Sequence, residues 1–273
     1  MRRWCSEVLA RADFPLTKAI VDTSAGLVHL TSAGSGRPQV VMVPGTGSNA
    51  AVALPWLRVL SARWATIVVD LPGQPGLSDA HRPRRARLAW YGRVLDEILD
   101  ATCDDRVVMV GNSLGAAVAL SADSSRIAAR ALISPAGFIR LRVDPQMALA
   151  SAAWLSRPTA EHSRRMLRLF VGPGTEPPET EVEWMTLMAT SCRPTLAPPP
   201  LPAGLLSRRA ERPCVVGVGE HDRFLPPQRL APAVRAAMNL DVRVFAGAGH
   251  LTTPAHLDEV MALVSDAIDP PTN

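Results

Sequence analysis

The eleven residues 107–117, which read VVMVGNSLGAA, decide the fold that this sequence predicts. Four apolar residues typical of a buried strand come first, and a run of small residues with helical character ends the stretch. Between them stands Ser113, with Gly111 two positions before it and Gly115 two positions after it. A side chain displayed on a sharp strand-to-helix turn needs such small neighbours, because larger ones would collide with nearby backbone. The stretch therefore predicts a turn that presents Ser113 as a nucleophile.

The predicted position of Ser113 at a helix N-terminus also favours chemistry at a carbonyl group. Backbone N–H groups at a helix N-terminus stabilise negative charge that develops on a substrate oxygen. The N–H of Leu114 is the first donor that we expect to act in this way. The same five-residue pattern also occurs in ordinary turns that cap a helix, so it indicates chemistry only if partners exist elsewhere in the chain.

Two loops further along the chain contain the partners that a serine nucleophile needs. A serine hydroxyl is a poor nucleophile at neutral pH and requires a base, which is itself oriented by a carboxylate. The loop 219–226 reads GEHDRFLP and follows one strand-like run, and the loop 246–251 reads AGAGHL and follows the next. The first loop offers Asp222 and, as a rival acid, Glu220. The second offers His250 as the base.

The chain as a whole alternates short apolar runs with longer helical patterns, which is typical of crossover units and a largely parallel sheet. A Ser-Ala-Gly turn between residues 19–22 and 27–31 predicts an antiparallel hairpin at one edge of that sheet. About 75 residues, 138–213, separate two consecutive strands where a simple crossover needs far fewer. They carry amphipathic patterns at residues 145–156, 159–171 and 179–192 and proline clusters at 177–178 and 198–202, so we expect an inserted helical cap.

The expected organisation is therefore one domain with an extension and an insertion. Residues 1–16 would form an N-terminal extension, 17–137 the first part of the α/β core, 138–213 the helical cap and 214–273 the second part of the core. The sequence leaves three interpretations of the extension open: a helix that packs on the cap, a contact between two copies of the chain, or a loose tail.

Taken together, these residues resemble those of the α/β-hydrolase family, in its esterase and lipase-like branch, over about residues 38–268. The resemblance implies an α/β fold with a mostly parallel eight-stranded sheet between helices and an inserted helical cap. It also implies the chain order serine, acid, histidine. Ser113, Asp222 and His250 would then form a catalytic triad, in which the imidazole takes the serine proton and the carboxylate fixes the imidazole tautomer. The adjacent His221 is expected to have a structural role in its loop.

Two further loops resemble segments of that family, each with a departure. The family often carries His-Gly-x after its third strand, whereas this chain reads PGTG at 44–47, with proline in place of histidine. The second oxyanion donor is a backbone N–H, so the resemblance implies Thr46 for that role. Residues 70–78, DLPGQPGLS, resemble the family's Asp-x-x-Gly-x-Gly-x-Ser with one extra residue. We assign them to loop structure near the site.

The predicted function is hydrolysis of an ester, thioester, lactone or related carbonyl in a small-molecule acyl substrate. No phosphate loop, haem motif or metal-ligand cluster is visible in the sequence, so no cofactor or metal ion is expected. The same residues would also serve C–C bond cleavage, acyl transfer or cyclisation, since this fold hosts many chemistries. A ligand-binding protein that has lost turnover is the alternative from a different class.

The expected cap contains the sequence evidence about the substrate. Most apolar residues at helical spacing pack a cap onto the body, but flexible or aromatic ones are also candidates for a pocket lining. The candidates are Trp154, Met166, Phe170, Trp184 and Met188. A second group is basic and either forms a solvated helix face or meets an anionic substrate or an acidic carrier protein that bears a thioester. It consists of Arg157, Arg164, Arg165 and Arg168.

Composition argues against several other classes of protein. The formal charge is +4, but the 29 basic residues are scattered among 25 acidic ones, and one tyrosine and five phenylalanines offer few stacking platforms for bases, so nucleic-acid binding is not expected. The four cysteines form no C-x-x-C pair, which favours reduced thiols and a cytoplasmic location over a disulfide framework or zinc site. No stretch approaches the roughly 20 apolar residues of a membrane span.

Overall fold

The structure is a computed structural model that describes residues 1–192 and 197–269. The described residues form eight strands: β1 (Thr17–Thr23), β2 (Gly26–Ala33), β3 (Val40–Val43), β4 (Thr66–Val69), β5 (Val107–Asn112), β6 (Ile127–Ile133), β7 (Cys214–Gly219) and β8 (Val242–Phe245). They lie in one sheet in the order β1-β2-β4-β3-β5-β6-β7-β8. β2 pairs antiparallel with β1 and β4, while the other neighbouring pairs are parallel. The prediction of a mostly parallel eight-stranded sheet with an edge hairpin is confirmed.

Helices connect most of these strands. They are α1 (Arg2–Ala10), α2 (Leu54–Ser61), α3 (Arg87–Thr102), α4 (Leu114–Ser121), α5 (Pro145–Ser156), α6 (Ala160–Leu167), α7 (Glu179–Ser191), α8 (Ala203–Arg209), α9 (Pro227–Met238) and α10 (Leu257–Ile268). A short 3₁₀ turn, Pro254–His256, precedes α10, whereas the helical spacing of residues 254–268 predicts one continuous helix. None of the described helices combines the length and the apolar character needed to cross a bilayer.

The sheet is buried on both faces because its central strands send alternate side chains to two different cores. In β3, Val41 and Val43 pack into the core that α3, α4 and α9 cover, whereas Val40 and Met42 pack into the core that α2 and α10 cover. All four residues of β3 are buried, which explains why the strand reads as a continuous apolar run. Because β3 to β8 run parallel to one another, their carboxyl ends lie at one edge of the sheet.

The long segment between β6 and β7 holds the four helices α5–α8, and its residues 193–196 lie outside the described part of the chain. The sequence patterns predict α5 and α7 closely. They overextend α6, which ends at Leu167 rather than Val171, and they miss α8. Helix α8 has only seven residues and follows the proline cluster at 198–202, so no amphipathic period is long enough to reveal it.

Of the three interpretations of residues 1–16, the structure has the helix. Cys5 and Leu9 of α1 are buried against the core of α2 and α10. Trp4 packs against Trp184 of α7, with ring centroids 4.8 Å apart. The N-terminal helix therefore contacts the segment that was predicted to be a cap.

Gly115 is required by close backbone packing, and its substitution should be costly. A Cβ on this residue would clash with the main-chain carbonyl of Val43 in the neighbouring strand, which cannot move independently of the sheet. We expect Gly115→Ala to lower the free energy of unfolding by about 3 kcal/mol or more, measured by urea denaturation. The matched control is Gly204→Ala in α8, where the added Cβ meets nothing within 4 Å. It should leave stability unchanged or raise it by about 0.5–1 kcal/mol. Equal effects of the two substitutions would contradict this account.

Candidate active site

Ser113 lies at the turn between β5 and α4, at the carboxyl edge of the sheet. Its φ of +50° and ψ of −111° are strained for a residue with a side chain. The surrounding backbone holds this conformation, because the N–H of Ser113 donates to the carbonyl of Ile133 (3.0 Å) and its own carbonyl accepts from Ala136 (3.1 Å). The hydroxyl consequently projects from the turn instead of folding back to cap α4, since no side-chain cap bond forms there.

The loops after β7 and β8 bring Asp222 and His250 to Ser113. The Nε2 atom of His250 lies 3.1 Å from the Oγ of Ser113, and its Nδ1 lies 2.8 Å from Oδ2 of Asp222. The other carboxylate oxygen, Oδ1, accepts backbone N–H bonds from Phe224 (3.0 Å) and Leu225 (2.9 Å). The carboxylate is thus fixed on one side by its own loop and faces the imidazole with the other.

The environment of Asp222 favours its charged form. Burial of the side chain acts to raise its pKa, but the charge of His250 and the hydrogen bonds from His250 and Leu225 outweigh that effect. The pKa of Asp222 therefore lies below its ordinary value. An ionised Asp222 accepts only, so it requires a proton on Nδ1 of His250 and leaves Nε2 free to accept the hydroxyl proton of Ser113.

Glu220 and His221, the other titratable residues of that loop, lie outside this arrangement. The carboxylate of Glu220 accepts the backbone N–H of Gly247 (2.9 Å) and approaches the ring of His221 (3.7 Å). Both side chains are about half exposed. Their contacts join the two loops that carry Asp222 and His250, which is a structural role.

The backbone N–H groups predicted to stabilise an oxyanion are both unengaged. Among the residues that the structure describes, neither Thr46 nor Leu114 donates its N–H to an acceptor. Gly45 brings the loop that carries Thr46 close to Ser113, because a Cβ built on Gly45 would lie 3.4 Å from the Cβ of Ser113. Free donors next to a projecting hydroxyl are what a developing negative charge on a substrate oxygen needs.

Two side chains that the sequence did not single out for this purpose hold that loop in place at Gly47. Oε1 of Gln74 accepts the N–H of Gly47 (3.0 Å), and Nε2 of the same amide bonds the hydroxyl of Tyr91 (3.2 Å). From the other side, the indole N–H of Trp184 donates to the carbonyl of Gly47 (2.6 Å). The position of Gln74 in the loop 70–78 was the sequence signal for its role near the site. Trp184 contacts Gly47 across 137 residues, and no local sequence pattern predicts such a contact.

The five residues predicted to line a pocket fall into three places. Phe170 packs edge-on against Phe224 (centroids 4.8 Å apart), which packs in the same way against the ring of His250 (4.9 Å). Met188 reaches Gly47, where a Cβ would lie 2.6 Å from its sulfur. Trp154 and Met166 instead belong to a cluster among the inserted helices. Trp184 is 3% exposed and its indole N–H is engaged by Gly47, so its place in a pocket lining stays a prediction.

Phe224 is the residue near the histidine that sequence reasoning missed. It comes two positions after Asp222, and its ring covers one side of the imidazole. An apolar cover of this kind excludes water from the imidazole and strengthens its electrostatic contacts. The proximity of Phe224 to Asp222 in the chain was the available signal.

Three of the four arginines predicted to form a basic group are neutralised by nearby glutamates. The pairs are Arg164 with Glu179 (2.7 Å), Arg165 with Glu161 (3.5 Å) and Arg168 with Glu176 (3.0 Å). The group thus presents little unpaired positive charge. A cavity of about 500 Å³ lies beside the loop that carries Asp222, and Arg168 is part of its lining. Ser113 and His250 are not among the described residues that line this cavity.

Trp184 offers a direct test of the contact that holds the loop of Thr46 and Gly47. Trp184→Phe keeps an aromatic ring but removes the N–H that bonds Gly47, so we expect kcat/KM to fall about 10-fold and the free energy of unfolding to fall by about 1 kcal/mol. The matched control is Trp154→Phe, which removes the indole N–H that donates to the carbonyl of Met185 (3.1 Å) within the inserted helices. It should lower stability similarly and leave kcat/KM unchanged. Equal losses of kcat/KM would rule out a role for the Gly47 contact.

Comparison with known proteins places this chain in a family. The model of the alpha/beta hydrolase family matches residues 40–266. Among similar sequences are 2-hydroxy-6-oxononadienedioate/2-hydroxy-6-oxononatrienedioate hydrolases from Klebsiella pneumoniae, 23% identical over 87% of this chain and 89% of the relative, and from Paraburkholderia phymatum, 26% identical over 88% and 90%.

Solved structures with the same fold include two hydrolases of different description. Carboxylesterase CesB from Bacillus subtilis has a TM-score of 0.77, with 19% identity over 99% of this chain and 97% of the other. The meta-cleavage product hydrolase CumD from Pseudomonas fluorescens has a TM-score of 0.73, with 20% identity over 93% and 98%. The match of the family model over most of the chain and the shared fold lead to one conclusion: this chain belongs to the alpha/beta hydrolase family.

Proposed function

We propose that the protein is a serine hydrolase that cleaves an ester, thioester, lactone or related carbonyl substrate through an acyl-enzyme. The observation that carries this proposal is the position of His250, whose two ring nitrogens lie within hydrogen-bond distance of Ser113 and Asp222. A base between a hydroxyl and an oriented carboxylate is the arrangement that activates serine. A binding protein would have no need for it.

In the proposed acylation step, Oγ of Ser113 attacks the substrate carbonyl carbon while Nε2 of His250 takes the hydroxyl proton. The carbonyl oxygen becomes an oxyanion, which the N–H groups of Leu114 and Thr46 stabilise. Asp222 stabilises the imidazolium that forms. Collapse of the tetrahedral intermediate breaks the bond to the leaving alcohol or thiol, which receives the proton from His250 and departs.

Deacylation reverses the roles with water in place of the leaving group. Nε2 of His250 removes a proton from a water molecule that attacks the acyl carbon. The second tetrahedral intermediate then expels Oγ of Ser113, which recovers its proton from His250. The products are a carboxylic acid and the alcohol or thiol, and the enzyme returns to its starting state.

Hydrolysis of a C–C bond is a second candidate, and the names of the similar sequences favour it. The relatives compared above are described as hydrolases of 2-hydroxy-6-oxononadienedioate and 2-hydroxy-6-oxononatrienedioate. In such a reaction the leaving group is a stabilised carbanion, so His250 or water would deliver its proton to carbon rather than to oxygen. The residues around Ser113 are compatible with either leaving group.

Product analysis in isotopically labelled water tests the proposal and separates it from its alternatives. We would incubate the full chain with p-nitrophenyl esters, acyl thioesters and a 2-hydroxy-6-oxo-dienoate, in H₂¹⁸O. Ester or thioester hydrolysis predicts a carboxylate that carries one ¹⁸O atom and a free phenol or thiol. Turnover of the dienoate alone would favour C–C cleavage. If no substrate is turned over, an acylating probe does not label Ser113 and a bound ligand is recovered unchanged, the alternative of ligand binding without catalysis is favoured.

A further inference from the structure

Arg130 is a buried cation without an acidic partner. It lies in β6 and is 0% exposed, and the described residues supply it with neutral acceptors only. Its Nε donates to the carbonyl of Ala119 (2.9 Å) and its Nη2 to that of Ala122 (3.0 Å), while Nη1 has no partner in the described chain. Burial lowers the pKa of Arg130 to about 10, which still leaves the guanidinium charged at neutral pH. A buried charge is costly unless an opposite charge compensates it.

Arg130 borders a small cavity in which basic residues outnumber acidic ones. The cavity measures about 130 Å³, and its lining consists of Arg130, Arg208, Arg209, Arg212, Asp123 and Glu211. Four arginines against two acids give this lining a formal charge of +2. The space corresponds to about four water molecules, which suits one compact anionic group better than an extended ligand.

The neighbouring arginines are unequally engaged. Arg209 is itself mostly buried and bonds Asp123 (2.6 Å), so this acid is not available to Arg130. Arg212 donates to the carbonyls of Ser124 and Ile127. Arg208 is exposed and forms no ion pair with a described residue. The cavity therefore has one cation enclosed at Arg130 and another free at Arg208.

The fold explains why arginines gather here but not how their charge is balanced. Helices α4 and α8 both end at this edge of the sheet, and helix C-termini attract cations through their unpaired carbonyls. Two carbonyls in the last turn of α4 accept such bonds, that of Ala119 from Arg130 and that of Leu120 from Arg209. These carbonyls carry partial charges only, so they do not neutralise the formal charge of +2 of the cavity lining. Nη1 of Arg130 also still lacks an acceptor among the described residues.

We propose that this cavity is a binding site for a phosphate group, separate from the site of Ser113. Arg208, Arg209 and Arg212 reach the cavity from α8 and the loop after it, and the charge of Arg130, which is 0% exposed, lies behind the cavity surface. Several guanidinium groups around one small space suit the acceptor directions of a tetrahedral oxyanion. The site would lie at the opposite edge of the sheet from the nucleophile, because Arg130 pairs with Cys214 at the start of β7 whereas Asn112 and Ile133 end their strands beside Ser113. Two sources share this chemistry, inorganic phosphate and a small phosphomonoester.

Calorimetric titration and thermal unfolding of the full chain test the site. The probes are inorganic phosphate, glycerol 3-phosphate and, as a control, chloride, all at the same ionic strength. We expect saturable binding of a phosphate compound by wild type and a rise in Tm with its concentration. Tighter binding of glycerol 3-phosphate would identify a phosphomonoester as the ligand, and equal or weaker binding would identify free phosphate. A response that chloride reproduces would overturn the proposal.

Two exposed arginines provide a matched pair of variants. Arg208→Ala should weaken phosphate affinity about 10-fold, the loss expected for one charge-assisted hydrogen bond. Arg229→Ala, on α9 and outside the cavity lining, should bind as wild type does. Arg130→Met removes the buried charge and should abolish the phosphate-induced rise in Tm. Equal affinities of Arg208→Ala and Arg229→Ala, or wild-type affinity in a folded Arg130→Met, would show that no such site exists.

Discussion

Replacing Ser113 with alanine is expected to lower kcat by about 10⁴-fold or more on any substrate that the wild type turns over. The hydroxyl is the only group at the turn between β5 and α4 that can form the acyl-enzyme, and a water molecule in its place would lack its fixed position 3.1 Å from Nε2 of His250. Substrate binding should persist, because alanine leaves the surrounding backbone N–H groups unchanged. Steady-state kinetics with a p-nitrophenyl ester, combined with circular dichroism, measures the loss and verifies the fold.

Ser121→Ala is the matched control for this prediction. Ser121 is the last residue of α4, the helix that follows Ser113, and its hydroxyl donates to the carbonyl of Ala117 (2.8 Å). We expect this variant to retain wild-type kcat and to be labelled by a fluorophosphonate probe, whereas Ser113→Ala should remain unlabelled. Turnover near the wild-type level in Ser113→Ala would mean that another residue is the nucleophile.

The strands of the sheet were predictable because their burial leaves a strong local pattern. β3 and β4 are only four residues long, yet all their side chains are buried, so each reads as an apolar run bounded by polar or turn residues. Helix α8 lacks such a pattern because its seven residues make only about two turns. Helix α1 is amphipathic, with Cys5 and Leu9 on its buried face, but what that face and Trp4 pack against depends on the tertiary structure. The sequence around α1 therefore left its structure open.

The residues of the candidate site also differ in whether the nearby sequence predicts their positions. Ser113, Asp222 and His250 each follow a strand, and parallel strands carry such residues to one edge of the sheet, so their meeting follows from the predicted topology. Trp184 reaches Gly47 from a helix 137 residues away. Nothing near Trp184 in the chain indicates that contact, because it depends on how the inserted helices pack on the core.

Asp222→Asn should lower kcat by about 10⁴-fold while leaving the loop intact. The amide oxygen of asparagine can still accept the N–H bonds of Phe224 and Leu225. Its NH₂ group, however, would face Nδ1 of His250 and donate to it, which places the imidazole proton on Nε2. In that tautomer the ring cannot take the proton of Ser113. The matched control is Glu220→Gln in the same loop, for which we expect kcat close to that of wild type.

The effect of Asp222→Asn on the free energy of unfolding should depend on pH, and the lowered pKa of Asp222 gives the direction of that dependence. A carboxyl whose pKa is lower in the folded state than in the unfolded chain stabilises the fold at pH values above its unfolded pKa of about 3.9, and this contribution disappears as the pH falls through the folded-state value. Wild type should therefore exceed Asp222→Asn in free energy of unfolding at pH 7, and the difference should shrink below about pH 4. Urea denaturation at several pH values measures it. A difference that grows on acidification, or a collapse of activity in Glu220→Gln instead, would show that Asp222 is not the charged partner of His250.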